Sequence, residues 1–168
     1  MKYRRLNQEE LEELEPEFVT FLASNSITAP DWEKIKLAYP ERVERLIEMF
    51  SDVVFDKILG KIKYMELKKP RDLRTFKFIE DRILLIGLVN NGDEDGKTEL
   101  DFTSSDTPEE MLLKMHRSNS EIRLYTAERK YRKDRKLEAF ELMEKGALIS
   151  KDGHMYKTLK NIHLSRMN

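Results

Sequence analysis

The stretch RTFKFIEDRILLIGLV, Arg74–Val89, decides the fold. Phe76 and Phe78 alternate with Thr75 and Lys77, a period of two that reads as a strand with one apolar face. Ile83–Val89 then runs apolar without alternation, which reads as a central strand covered on both faces. Glu80, Asp81 and Arg82 between them form the turn. A third strand is expected just upstream in KIKYMEL, residues 61–67.

The period changes on both sides of this block. Upstream, Asn7 with Glu10 three residues on makes a capping box, and Leu6 and Leu11 are placed to form a hydrophobic staple. Leu11, Leu14, Phe18, Phe21 and Leu22 then share one helical face, with Pro16 predicting a kink or restart because it lacks a backbone donor. Pro30 suits the first turn of a short helix carrying Trp32 and Ile35. Pro40 opens a longer one with the stripe Val43, Leu46, Ile47, Phe50, Val54 and Ile58, stopped at Gly60. Phe50, Val54, Ile58, Leu84 and Ile86 are therefore the expected core.

Downstream, NNGDEDGK (90–97) is a loop and TELDF (98–102) alternates again with Leu100 and Phe102 inward. Thr107, Pro108 and Glu110 announce a helix to about Arg117, and Ile122 and Leu124 alternate in a short strand. Thr126 is placed to cap a helix ending at Gly146, with Leu137, Phe140 and Met143 inward, and residues 148–159 read as a hairpin turning at Asp152-Gly153. The expected fold is α+β in a single domain, residues 1–168. A helical part, 7–60, packs on a small, mostly antiparallel sheet in 61–168, followed by a late helix and a C-terminal hairpin.

Composition removes whole classes of chemistry. There is no cysteine, so disulfides, thiol catalysis and zinc–thiolate sites are excluded, which suits a reducing cytosol. MKYRRLNQEE has no apolar segment behind its basic residues, so no signal peptide is expected, and Ile83–Val89 is too short to span a bilayer. The glycines are too dispersed for a phosphate-binding loop, and no GxSxG elbow occurs. His116, His154 and His163 share no ligand spacing. Asn91, Asp93, Asp95 and Gly96 match positions 1, 3, 5 and 6 of a calcium loop, but position 12, which must supply a bidentate carboxylate, is Phe102. No metal and no cofactor are expected.

Charge is the remaining signal. Residues 1–60 hold 8 basic and 13 acidic side chains, whereas residues 114–168 hold 14 and 7. The excess concentrates in Arg129, Lys130, Arg132, Lys133, Arg135 and Lys136, interrupted by Tyr131 and followed by Glu138, Glu141 and Glu144. On one helix both groups would sit at the ends that its dipole disfavours, and Arg or Lys ahead of Glu is the poorer pairing order. Helix stability therefore does not explain the arrangement. By three- and four-residue spacing, Arg129, Arg132, Lys133 and Lys136 would line one side and could follow an acidic partner or an RNA backbone, with Tyr131 available to stack on a base. The alternative is pairing with the acidic first helix, Glu9 to Glu17.

Four phrases, MKYRRLNQEELEELEPEF, ITAPDWEKIK, FSDVVFDKIL and KDGHMYKTL, resemble an uncharacterised family associated with Bacteroidota bacteria. The resemblance spans nearly the whole chain, implies a cytoplasmic bacterial protein of unknown function, and transfers no catalytic residue. The functional expectation is a non-enzymatic interaction or adaptor protein that binds a protein partner or a structured RNA through the basic helix, with no membrane partner. The competing expectations are a small enzyme with an acid–base site that no sequence motif marks, the Glu80–Asp81 carboxylate pair being explained more simply by a turn between strands, and a divergent winged-helix-like nucleic-acid binder whose wing would be the 148–159 hairpin.

Overall fold

A computed structural model describes residues 1–92, 100–104 and 106–167. The chain divides into two compact units, Met1–Gly60 and Lys61–Asn168, at the point where the sequence changes from helical to strand period.

The first unit is helical: α1 (Gln8–Glu13), α2 (Glu15–Ser24), α3 (Ala29–Ala38) and α4 (Pro40–Gly60). The expected capping box is present, with the Asn7 side chain accepting from Glu10 N at 2.9 Å and Glu10 Oε2 accepting from Asn7 N at 2.8 Å. Leu14 separates α1 from α2, and Pro16 lies in the first turn of α2, where its missing donor costs nothing. Thr28 and Asp31 form a second reciprocal cap on α3. Leu22, Ile27, Ile35 and Leu46 form a buried cluster with Phe18, Phe21, Trp32 and Val43 against it. Phe50 is 2% exposed, and its ring centroid lies 5.0 Å from that of Phe18.

The second half of α4 departs from the expected stripe. Val54 is only half-buried and Ile58 is exposed, while Phe55 and Leu59 are buried. The first six residues explain Phe55. Leu6 N donates to Ser51 Oγ at 3.0 Å, and Tyr3 N and Tyr3 OH donate to Asp52 and Asp56 at 3.0 and 2.7 Å. The Arg4 guanidinium lies over the Phe55 ring. An extended segment laid along the helix turns its buried face, and helical periodicity alone carries no trace of that.

The second unit is a five-stranded antiparallel sheet in the order β4-β3-β2-β1-β5. The strands are β1 (Tyr64–Lys69), β2 (Asp72–Phe78), β3 (Arg82–Asn90), β4 (Ile122–Lys130) and β5 (Leu148–Ser150), and the helices are α5 (Pro108–Arg117), α6 (Arg135–Glu144) and α7 (His154–Met167). The α+β class is as expected. The middle strand is β2, not the apolar β3, which lies between β2 and β4. Ile86 is buried and Leu84 half-buried. On one face Leu73, Ile86 and Leu88 pack with Met111 of α5 and Met155, Tyr156 and Leu159 of α7. Leu100 and Phe102 are buried as expected but are not in a strand, and Phe102 N donates to Pro70 O at 3.1 Å. The rest of the acidic loop, and the expected strand start at 98–99, lie outside the described residues.

The expected C-terminal hairpin is not formed. Leu148–Ser150 pairs with β1, and the chain after Asp152-Gly153 is helical. Asp152 Oδ1 accepts from His154 N at 3.1 Å, so the aspartate caps a helix instead of closing a hairpin. Gly153 has φ +65°, and a Cβ there would stand 2.5 Å from the Tyr64 ring, so both backbone and space demand glycine. Without a second strand there is no wing, and the winged-helix expectation loses its structural basis.

Candidate functional site

The basic stretch is not one helix. Residues up to Lys130 continue β4, whose nine residues all pair with β3. Thr126, expected to cap a helix, stands opposite Ile86 in the sheet. The helix cap is Asp134, which accepts from Lys136 N at 3.0 Å. Sheet pairing has overridden a local composition that fits a helix. The six cations therefore lie on three elements: Arg129 and Lys130 end β4, Arg132 and Lys133 are in the turn, and Arg135 and Lys136 open α6. The one-sided helical stripe of Arg129, Arg132, Lys133 and Lys136 does not exist.

What the cluster builds is a corner around one carboxylate. Glu138 is 3% exposed. Arg129 grips it with both guanidinium nitrogens, Nη1 to Oε1 at 3.1 Å and Nη2 to Oε2 at 2.6 Å. Oε1 also accepts from the backbone of Arg132 at 2.7 Å and of Lys133 at 3.2 Å. The Arg129 hydrogen bonds hold the Glu138 carboxyl at about 2, against the opposing effect of burial and with help from the two backbone donors. A buried anion in the first turn of α6 answers the dipole objection, because it offsets the cations around it. Lys133 Nζ pairs with Glu141, and Arg135 donates to Ile62 O while its guanidinium lies 5.9 Å from the Phe78 ring centre. Tyr131 is half-buried and its hydroxyl donates to Ile79 O at 2.6 Å, so it is not a free stacking platform. Lys130, Arg132 and Lys133 remain exposed.

A second polar cluster lies on β4 and its neighbours. The Tyr125 ring covers Gly87, where a Cβ would come within 2.4 Å of it. Tyr125 OH donates to Asp72 Oδ1 at 2.8 Å, and Asp72 Oδ2 accepts from Arg74 Nε at 3.1 Å. With Val89 and Arg123 these residues line a shallow cleft of about 420 Å³. Burial first, then Asp72, raises the Tyr125 pKa, so its phenol stays protonated and serves as a donor, not a base. In the Glu80–Asp81 pair, Asp81 is held by Arg82 at 2.8 Å, which lowers its pKa. Among the described residues no group of three His, Asp or Glu side chains is placed to hold a metal ion.

Sequence reasoning found the cations but missed Glu138, which in sequence looks no different from its neighbours Glu141 and Glu144. No local spacing connects it to Arg129, nine residues back on a strand. The Tyr125 cluster did leave a signal, the lone glycine in the apolar run, which marks a close approach. No described helix is long and apolar enough to cross a membrane. No curated protein and no solved structure matches the chain. A family model matches residues 1–164, and the chain belongs to that family, a family of unknown function (DUF6495).

Proposed function

We propose that the chain is a non-enzymatic adaptor that binds an acidic protein segment through β4 and the basic corner after it. The observation that carries the reading is the division of labour within the cluster. Glu138 consumes Arg129 and fixes the backbone of Arg132 and Lys133, while Lys130, Arg132 and Lys133 stay exposed on that fixed frame. Cations held at a rigid turn lose little freedom on binding, which favours recognition over simple solvation. A protein partner fits better than RNA, because the tyrosine that could have stacked on a base is committed to Ile79. The setting we propose is the cytoplasm of a Bacteroidota bacterium, on the four phrases quoted above and the lack of cysteine.

The test replaces Lys130, Arg132 and Lys133 together by Glu and spares Arg129 and Arg135. The wild type should bind a short poly-glutamate peptide with an affinity that falls as salt rises, and the variant should lose binding while staying folded, its urea midpoint lowered only by the loss of the exposed Lys133–Glu141 pair. A wild type that ignores poly-glutamate at low salt, or that binds a structured RNA instead, would overturn the proposal.

A further inference from the structure

We infer that the acidic segment is taken as an added β-strand along the outer edge of β4, an inference that rests on the proposed acidic-partner reading. Among the described residues no strand pairs beyond β4. Tyr131 N donates to Asp81 O, and Asn91 N donates to Glu121 O. By the antiparallel alternation, the odd-numbered residues between them turn their backbone groups toward β3. The N–H and C=O of Ile122, Leu124, Thr126, Glu128 and Lys130 therefore point outward. The edge is nine residues long, with no proline, glycine or bulge, and Thr126 to Lys130 are all exposed. The opposite edge, β5, has three residues. Charged side chains on such an edge discourage like strands, but they leave the outward N–H and C=O groups available to a strand of complementary charge.

The two faces of the sheet beside this edge are shaped for alternate side chains. On one face a cleft of about 180 Å³ is lined by Ile83, Leu85, Ala127 and Leu142. On the other a cleft of about 370 Å³ is lined by Thr126, Tyr156, Lys160 and Leu164. In strand addition the main chain supplies affinity and such clefts supply specificity. Charge selects the occupant. With Arg129 held by Glu138 and Glu128 beside Arg82, Arg123 and Lys130 are the cations that β4 offers, Lys160 stands at the second cleft, and Arg132 and Lys133 follow the strand end. A second copy of the chain fits poorly. Antiparallel pairing of all nine residues would centre on Thr126 and bring two basic strand ends together, without the acidic side chains that Arg123, Lys130, Arg132 and Lys133 call for.

The probe is a nine-residue peptide alternating glutamate with valine, added to the full-length, isotope-labelled chain. Binding should shift and slow the exchange of the Leu124, Thr126 and Glu128 amides. Thr126→Pro removes an outward N–H and leaves the β3 ladder intact, so it should weaken binding at least tenfold at an unchanged urea midpoint. Glu128→Pro, at the next outward N–H, serves if the first variant fails to fold. If both proline variants bind like the wild type while the Lys130/Arg132/Lys133→Glu variant does not, the inference fails and the proposed function stands. If the wild type does not bind the peptide, both fail. Equal binding of a peptide with lysine in place of glutamate, or protection of the same amides by self-association without peptide, would also overturn the inference.

Discussion

Each unit contains an arginine that grips a glutamate with two nitrogens while the same glutamate accepts from nearby backbone. In the first, Arg4 donates to Glu10 at 2.9 and 2.8 Å, and Glu10 also accepts from Asn7 N. In the second, Arg129 donates to Glu138, which also accepts from Arg132 N and Lys133 N. The chemistry is shared and the burial is not: the Glu10 side chain is 31% exposed and that of Glu138 is 3%. Glu10 trims a helix end that water could also solvate. Glu138, buried, holds together a strand end, a turn and a helix start. The same pair of residue types is thus an ornament on one helix and the centre of a corner in the other unit.

The largest effect expected from this difference is that of Glu138→Ala. It strips an acceptor from two backbone donors and a partner from Arg129, and should cost about 3 kcal/mol in urea unfolding followed by circular dichroism. A cost below about 1 kcal/mol would show that the corner holds without its carboxylate. Glu10→Ala should cost about 1 kcal/mol in the same assay, because its partners stay hydrated when it is removed. If the two variants cost the same, burial is not what separates the two devices.

The contrast also explains what could be read in the sequence. Asn7 with Glu10 and Thr107 with Glu110 were legible because a capping box closes within three residues, and both boxes are present. Strands β1 to β3 were legible from alternation and from the apolar run. Glu138 was not, because its meaning comes from Arg129 on a strand whose own length is set by pairing with β3. The continuation of β4 through Glu128-Arg129-Lys130 was hidden for the same reason, and with it the true start of α6 at Arg135. Asp152-Gly153 carried a real signal, a backbone turn that needs glycine, but the apolar spacing of Met155, Tyr156 and Leu159 that decides for a helix lay beyond it.

Acid should expose the corner directly. The ordinary glutamate value is 4.5, and the fold holds Glu138 at about 2, first through Arg129. A carboxyl whose pKa is lowered by folding contributes stability that is complete above its unfolded value and is lost as pH falls through the folded one. Glu138 therefore stabilises fully above about 4.5, and its contribution disappears between there and about 2. Carbon-13 NMR titration of the Glu138 side-chain carboxyl, assigned by its absence in Glu138→Gln, reads this group alone. The corner geometry requires a midpoint near 2. A midpoint in the ordinary glutamate range would contradict it and place Glu138 in water, with the basic stretch unanchored.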